Sequence, residues 1–306
     1  MRHTVVIPLY NKEAYIFDSI RSLAFQQKKA DEIIVVDDFS TDQSLTRLKE
    51  ALSFFAPQLL ETTIQIIELK ENKGPGNARN SGLEQATGDL ISFLDADDCY
   101  TPTCLSEVDE IMEREHIDFL VLGIALVPSQ YYMPNIESFK QELIALSNEL
   151  FLIANVLHTI SSPEFIMGVG SNVVIRRNCL KDIRYDTSVS LNEGIDFWYR
   201  VLKNLPKQTR VGLLNKTCIE VREVEGSLSR ISYRNWRELE IPLSMVRYKG
   251  STDRFDQQLM GMLSQRWYEH AMERLPSRKQ KILFVLNHAS TLIKNHYYLK
   301  KRNLID

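Results

Sequence analysis

The sequence predicts an α/β fold in which a mostly parallel, doubly wound sheet carries helices on both faces. Short β-branched runs alternate with helical patterns through the first 125 residues, which is typical of such sheets. Three predicted strands also end in polar groups, namely Tyr10-Asn11, Asp37-Asp38 and Asp95 to Asp97. Because ligands of these sheets lie outside the carboxyl ends of the strands, we expect a binding site at this edge.

The elements of this first part follow one another closely. Apolar runs bounded by turn residues predict strands at residues 4–9, 32–36, 64–69, 90–94 and 119–123. Amphipathic patterns predict helices at residues 13–27, about 41–55, 75–86 and 102–116. Ser40-Thr41-Asp42 supplies residue types that can cap the second helix.

The second half is less regular. The patterns predict a long helix over 137–158, a strand over 171–176, a helix over 192–204 and a strand over 217–222. From Tyr233 onward the pattern is helical, with Asp253 as an N-cap and Pro276 as a break. We therefore expect one large domain over residues 1–230 and a helical C-terminal region over residues 231–306.

The charge of the chain is unevenly distributed. The net charge is −3, yet eight Lys or Arg and no Asp or Glu lie between Arg274 and Arg302, which leaves 29 basic against 40 acidic residues elsewhere. A basic tail on an acidic body does not resemble a nucleic-acid-binding surface. It favours attachment to an anionic surface, such as the inner face of a membrane. A solvated helix face and a homodimer contact are the alternatives.

Two further features bear on the cellular compartment. The four cysteines form no CxxC pair, which argues against structural zinc and against a disulfide framework. The chain enters its first strand without a signal-peptide pattern, and the apolar run at 282–286 is too short to cross a bilayer. We expect a cytoplasmic protein, placed peripherally on the inner membrane face if the basic tail binds lipid.

Three carboxylates follow the predicted strand at 90–94. Asp95, Asp97 and Asp98 bring hard oxygen ligands to the edge of the sheet. Such ligands suit Mg²⁺ or Mn²⁺, which bind one or two carboxylates while phosphate oxygens and water complete the shell. The alternative is an acidic turn in which Asp98 caps the following helix.

With these features in place, the chain resembles the inverting glycosyltransferases of family 2, which have the GT-A fold and use nucleotide-diphosphate sugars. The resemblance covers roughly residues 1–230. It is carried by the motifs VVIPLYN (5–11), EIIVVDDFSTD (32–42), NKGPGNARNSGL (72–83), GDLISFLDADD (88–98) and the weaker NEGIDFWYR (192–200). Several ordered motifs in fitting strand context are far more specific than any single one.

The resemblance implies a donor site at the carboxyl edge. Tyr10 would stack on the nucleobase and Asp38 would accept a hydrogen bond from a uracil imide, while Pro8 and Asn11 would shape the same pocket. Arg79 would reach the diphosphate or the base, or would instead bind Asp95 or Asp98 structurally. The resemblance implies Asp97 as the first choice of ligand for Mn²⁺ or Mg²⁺, with Asp95 contacting the ribose or, through water, the metal.

The expected catalytic base departs from the family pattern. Relatives carry a Glu-Asp pair before the helix that contains the FW motif, whereas here Glu193 is followed by Gly194. Glu193 or Asp196 would then take the proton from the acceptor hydroxyl, with Glu193 preferred. A second departure is Val224, which stands where relatives often have His.

The expected function is metal-dependent, inverting transfer of a single sugar from a UDP-sugar to a glycan or lipid-linked acceptor in surface polysaccharide biosynthesis. Single transfer is expected because Gln265-Arg266-Trp267 lacks the spacing of the QxxRW motif of processive relatives. The two departures keep open a catalytically impaired scaffold that binds nucleotide sugars. A nucleotidyltransferase is disfavoured, because no Gly-rich basic loop follows the first strand.

Overall fold

The computed structural model describes residues 1–162, 165, 171–188, 192–224 and 232–302, with side chains described as far as residue 298. Eleven strands of this described chain form one sheet. In chain order the strands are β1 (His3–Leu9), β2 (Glu32–Asp37), β3 (Thr63–Glu68), β4 (Leu90–Phe93), β5 (Cys99–Tyr100), β6 (Phe119–Val127), β7 (Tyr132–Met133), β8 (Leu143–Ala145), β9 (Leu150–Ile153), β10 (Val173–Arg176) and β11 (Val211–Arg222). Their order in the sheet is β3-β2-β1-β4-β10-β6-β11-β9-β8, with β5 paired to β11 and β7 paired to β6.

The sheet is mostly parallel, as predicted. β1 pairs in parallel with β2 and β4, and β2 pairs in parallel with β3. β10 is antiparallel to both β4 and β6, so β6 and its parallel neighbour β11 run in the same direction as β4. A single reversed strand therefore lies between two blocks of parallel strands.

α-Helices cover both faces of the sheet, and three more in the described part of the chain follow the last strand, β11. In chain order they are α1 (Ile16–Ala24), α2 (Ser44–Phe54), α3 (Pro75–Gln85), α4 (Cys104–Arg114), α5 (Val156–Ile160), α6 (Arg177–Leu180), α7 (Glu193–Lys203), α8 (Leu243–Arg247), α9 (Arg254–Arg274) and α10 (Arg278–Arg302). The predicted cap is confirmed, since Asp253 accepts hydrogen bonds from the backbone N–H groups of Phe255 and Asp256. Among the helices described, none has the length and hydropathy of a bilayer-crossing segment.

Two hydrophobic cores lie on the two faces of the sheet. Val6 contributes to a core shared with α3, α7 and α9, whereas its neighbour Val5 contributes to a core shared with α1, α2 and α4. Because both faces are covered, the central strands are apolar at nearly every position and show no alternation. The helix α9 shares its core with the sheet, and the expected domain boundary at residues 230 and 231 lies outside the described residues.

The predicted helix over 137–158 is wrong. This stretch holds a short 3₁₀ helix (Ile136–Glu142), the hairpin of β8 and β9, and α5. The Ser147 hydroxyl accepts hydrogen bonds from the backbone N–H groups of Glu149 and Leu150 and so stabilises the hairpin turn. β9 also pairs with β11, and this long-range pairing overrides the helical pattern.

Close packing of α3 on the sheet fixes the carboxyl edge. A Cβ atom at Gly82 would lie 2.3 Å from Cγ1 of Val6, so only glycine allows the helix to approach β1 this closely. Beyond the end of β1, the backbone carbonyl of Leu9 accepts a hydrogen bond from the N–H of Asp38 at 2.8 Å. The ends of β1 and β2 are thereby held against one another, and the C-terminal half of α3 is held against β1.

Candidate active site

Asp38 anchors the turn that precedes α3. Its two carboxylate oxygens accept backbone N–H bonds from Lys73 at 3.0 Å and from Gly74 at 2.8 Å. Gly74 has φ +88°, a conformation that favours glycine, and Pro75 then opens the helix. Burial raises the pKa of the Asp38 carboxyl above its ordinary value, and the adjacent Asp37 adds to this effect. Asp38 therefore stabilises the turn before α3, and its contact with uracil stays a prediction.

Tyr10 and Asn11 extend from the end of β1 towards solvent. The Tyr10 ring is 42% exposed, and Pro8 lies within β1 opposite Val36 of β2. The Asn11 side chain accepts a hydrogen bond from the Thr41 N–H at 2.8 Å, so it ties the end of β1 to the loop after β2. An exposed aromatic ring on an anchored loop can stack on a nucleobase. The roles of Tyr10, Pro8 and Asn11 at the base stay predictions.

The acidic loop after β4 contains one buried and two more accessible carboxylates. Asp98 is buried, and it accepts hydrogen bonds from the Ser171 hydroxyl at 3.1 Å and from the Arg222 backbone N–H at 3.2 Å. Burial, reinforced by Asp95 and Asp97, raises the pKa of Asp98 well above its ordinary range. Asp98 is thus a structural link between β4, β11 and the segment before β10. It does not cap α4, which begins later, at Cys104.

Asp97 forms an ion pair with Lys12. The Lys12 ammonium lies 2.5 Å from Oδ2 of Asp97, and the two side chains are 23% and 14% exposed. The Lys12 backbone belongs to the turn between β1 and α1, so the pair joins the ends of β1 and β4. The second oxygen of Asp97 has no partner among the described residues.

Arg79 bridges two carboxylates at the first turns of α3. Its two terminal nitrogens donate to Oδ1 of Asp95 at 2.6 Å and to Oε1 of Glu193 at 3.0 Å. The guanidinium also lies 5.4 Å from the centre of the Tyr185 ring. Burial by itself lowers the pKa of a guanidinium, but these neighbours, Asp95 foremost, hold the pKa of Arg79 above its ordinary value. The structural contact predicted between Arg79 and Asp95 is present.

Glu193 is the first residue of α7 and lies against α3. Its preceding residue, Asn192, has φ 59°, a left-handed conformation that turns the chain into the helix. A Cβ atom at Gly76 would lie 2.6 Å from Oε2 of Glu193, so glycine is needed there for this approach. Burial is the main cause of the raised pKa of the Glu193 carboxyl, which Arg79 partly offsets.

Asp196 lies one turn further along α7 in a different environment. Its side chain is fully buried, and Oδ2 accepts from Arg200 at 2.7 Å. Oδ1 accepts from Arg247 at 2.9 Å and from the Ser244 hydroxyl at 3.1 Å. Oδ2 is therefore bound within α7 and Oδ1 joins α7 to α8, so an acceptor hydroxyl has no access to either oxygen.

These contacts bring most of the predicted residues to the carboxyl edge. Asp95 and Asp97 are partly exposed, and their hard oxygens fit the preference of Mg²⁺ and Mn²⁺. Within the described ranges, no cluster of three His, Cys, Asp or Glu side chains is assembled around a common centre. Glu193 and Asp95 both form ion pairs with Arg79 at this edge, whereas Asp196 does not contact these side chains in the described structure.

Comparison with known proteins now identifies the family. The sequence model named "Glycosyl transferase family 2" matches residues 4–178, which is more than half of the chain. The chain belongs to glycosyltransferase family 2. The resemblance seen in its motifs is thereby confirmed, and it is a glycosyltransferase by family.

Named relatives of this glycosyltransferase match part or most of it. Poly(ribitol-phosphate) beta-N-acetylglucosaminyltransferase TarS of Staphylococcus aureus is 34% identical over 125 residues, which cover 40% of this chain and 21% of TarS. Minor teichoic acid biosynthesis protein GgaA of Bacillus subtilis is 30% identical over 246 residues, which cover 76% of this chain and 50% of GgaA. The chain thus spans about a fifth to a half of the length of these curated relatives.

A solved structure confirms the GT-A fold. The crystal structure of S. aureus TarS 1–349 in complex with UDP-GlcNAc matches with a TM-score of 0.63 at 21% sequence identity. The match covers 99% of this chain and 92% of that one. At this level of identity the likeness concerns the fold.

Sequence reasoning missed two residues that contact the candidate site. Lys12 directly follows the VVIPLYN motif, and its position beside a strand end was the only signal for it. The Tyr185 ring stacks on Phe197, with ring centres 3.9 Å apart, and its centre lies 5.4 Å from the Arg79 guanidinium. The Asn80 side chain accepts a hydrogen bond from the Tyr185 N–H. No motif marks Tyr185, because it comes from an irregular loop that only the fold brings to α3.

Proposed function

We propose that this chain transfers one sugar from a UDP-sugar, with inversion, to a glycan or lipid-linked acceptor of a cell-surface polysaccharide. The observation that carries this proposal is the row of side chains Asp95, Arg79 and Glu193 at the carboxyl edge. In the proposed complex Asp95 would lie near the donor diphosphate, and Glu193, whose pKa is raised, lies on the opposite side of the guanidinium that the two carboxylates share. The names of TarS and GgaA support N-acetylglucosamine as the first sugar to test and a teichoic-acid-type polymer as the first acceptor.

In the proposed reaction Glu193 is the base. As the oxygen of the acceptor hydroxyl attacks the anomeric carbon, its proton passes to Glu193, and the bond from that carbon to the diphosphate oxygen breaks with its electron pair. Arg79 holds Glu193 in place and limits how far burial raises its pKa. Glu193 therefore replaces the carboxylate that is missing at Gly194. Asp196 is a poor candidate, because both its oxygens are already bound.

The donor side uses the ends of β1, β2 and β4. Tyr10 stacks on the base, Pro8 and Asn11 shape its pocket, and Asp38 accepts from the uracil imide. Asp97, with Asp95, would hold Mn²⁺ or Mg²⁺, and such an ion when bound offsets the negative charge of the departing diphosphate. The edge position of these side chains and the 42% exposure of Tyr10 support the roles. Asp38 is buried, so uracil would share an oxygen that already accepts from the N–H of Lys73 or Gly74.

The experiment is a donor panel. Purified protein is incubated with UDP-N-acetylglucosamine, UDP-glucose, UDP-galactose and UDP-N-acetylgalactosamine, with Mn²⁺ or with EDTA, and UDP release is measured with and without a ribitol-phosphate polymer. We expect Mn²⁺-dependent release from one donor, and release that is at least about a hundredfold slower from Glu193→Gln. UDP binding without turnover of any donor would support the alternative, a catalytically impaired scaffold, which Gly194 and Val224 favour.

We further propose that α10 attaches the protein to an anionic lipid surface. Ile282, Leu286, Ile293 and Tyr297 lie on one helix face and are 49 to 72% exposed. On the other side of α10, Phe284 packs on Trp267 with ring centres 4.7 Å apart. The outward apolar face is thus separate from the face that holds α10 to α9.

Charge selects the partner of this face. The α10 sequence has seven Lys or Arg and no Asp or Glu. A second copy would cover the apolar residues but would oppose two strongly basic helices, and an anionic polymer would match the charge but leave the apolar residues in water. A surface of acidic headgroups over hydrocarbon satisfies both. The homodimer contact is therefore the weaker proposal.

Vesicle flotation tests the attachment. We expect binding to phosphatidylglycerol vesicles that salt weakens, no binding to phosphatidylcholine vesicles, and at least about a tenfold loss in a triple Ile282→Ser, Leu286→Ser, Ile293→Ser variant. Phe54→Ser with Leu60→Ser removes exposed apolar groups elsewhere and serves as the matched control. Equal binding by the triple variant would remove the proposal. If light scattering shows a dimer for the native chain and for the control but not for the triple variant, the apolar face of α10 contacts a second copy of the chain instead.

A further inference from the structure

The Lys12 ammonium is paired with Asp97, the carboxylate that the proposed function assigns to the divalent ion. Its ammonium lies 2.5 Å from Oδ2 of Asp97, at the end of β4. A divalent cation bound at the same carboxylate would lie close to this ammonium and would be repelled by it. Lys12 and the ion therefore compete for Asp97 unless the ammonium has another anion to contact.

The backbone of Lys12 is fixed, so only its side chain can move away. The Lys12 N–H donates to the Ser44 hydroxyl at 2.6 Å. Its carbonyl accepts from the N–H groups of Tyr15 at 2.9 Å and Ile16 at 3.0 Å. The flexible four-carbon stem can swing the ammonium through several ångströms without any change in the fold.

Nearby carboxylates already have partners. Asp18 of α1 binds Arg222 at 2.7 Å and Arg21 at 3.1 Å. Glu13 accepts the backbone N–H of Gln43 at 2.8 Å. A Lys12 ammonium that leaves Asp97 therefore finds its next anion in a ligand. The diphosphate of a UDP-sugar at this edge is an anion of the right charge and position.

We propose that Lys12 couples the binding of the divalent ion to the binding of the nucleotide, and so acts as a positioning residue for the donor. Without nucleotide, Lys12 holds Asp97 and weakens the binding of the ion. With nucleotide, the ammonium moves to the diphosphate and Asp97 becomes available. The inference rests on the proposed donor site, and it predicts that each ligand raises the affinity for the other by the same factor, about 5- to 150-fold.

The test measures Mn²⁺ binding directly. Free Mn²⁺ is counted by its electron paramagnetic resonance signal in titrations of the whole chain, with and without UDP, and UDP binding is measured by calorimetry in EDTA. The variants are Lys12→Met, which removes the charge, and Lys12→Arg, which keeps it. Lys49→Met is the matched control, because Lys49 forms an exposed pair with Glu68 away from the site.

For the native chain and for Lys49→Met we expect weak Mn²⁺ binding alone and much tighter binding with UDP. Lys12→Met should bind Mn²⁺ alone at least about fivefold more tightly and have a coupling factor smaller by about the same amount, because only the direct attraction between ion and diphosphate then remains, while Lys12→Arg should retain the native factor. Unchanged coupling in Lys12→Met, with UDP still bound, overturns the inference and leaves the proposed function standing. Absence of UDP binding to the native chain overturns the proposed function itself. If Lys12→Met does not fold, Lys12→Gln provides the same comparison.

Discussion

Two carboxylates on α7, only three residues apart, have opposite surroundings. Glu193 shares Arg79 with Asp95 at the edge of the sheet and has a raised pKa. Asp196 is fully buried and binds two arginines and a serine. A carboxylate with one ion-pair partner and a side chain that is 11% exposed, like Glu193, can exchange that partner for a proton or a ligand. A carboxylate with both oxygens bound in the interior is part of the fold, and its loss costs stability rather than chemistry.

The largest effect on turnover is expected for Asp97→Ala. The substitution removes the carboxylate proposed as the first ligand of the divalent ion, together with its ion pair to Lys12. Loss of that charge stabilisation is expected to lower kcat by about a thousandfold or more. Steady-state UDP release with saturating Mn²⁺ measures it, and an unchanged melting temperature shows that the fold is intact. Normal turnover by this variant would remove Asp97 from the ion site.

Glu193→Gln should have the next largest effect on rate. The amide keeps the size of the side chain but cannot accept a proton, so kcat should fall by about a hundred- to a thousandfold. UDP affinity should change little, because Glu193 is proposed to act on the acceptor. Single-turnover sugar transfer together with UDP calorimetry separates the two quantities. A kcat within threefold of the native value would exclude Glu193 as the base.

Asp196→Asn should lower the stability of the fold and leave kcat nearly unchanged, which is the reverse of the expectation for Glu193→Gln. It leaves Arg200 and Arg247 without their shared charge in a buried position, so the free energy of unfolding should fall by about 3 kcal/mol. The kcat of the protein that remains folded should stay close to that of the native chain. Urea unfolding and active-site-normalised kinetics measure the two effects. A stable but inactive Asp196→Asn would transfer the role of base to Asp196 and contradict the comparison.

The sequence predicted the first region of the molecule far better than the second. The strands up to β4 and the acidic loop lie in short apolar runs with nearby turn residues, so local patterns place them well. The pairing of β9 with β11 joins residues that are distant in the chain, so the local pattern over 137–158 wrongly predicts a helix. The same limit applies to the site. Asp95 and Asp97 were found from their strand end, whereas Tyr185 and the ion pair of Lys12 depend on how the fold brings loops together.

The smallest predicted effect is on the pH dependence of the native chain, and it concerns the proton on Glu193. Burial raises the pKa of this carboxyl above the ordinary value of 4.5. A base must be ionised to act, so kcat/KM should rise with pH through this raised pKa and fall about tenfold for each pH unit below it. Ionisation also works against burial, so the folded state should lose a little stability as the pH rises from 4.5 through the same pKa. In Glu193→Gln the residual activity should lack this acidic limb, and in Asp196→Asn the limb should remain. An identical acidic limb in Glu193→Gln would assign it to another group, with Asp98 the first to examine because its pKa is also raised.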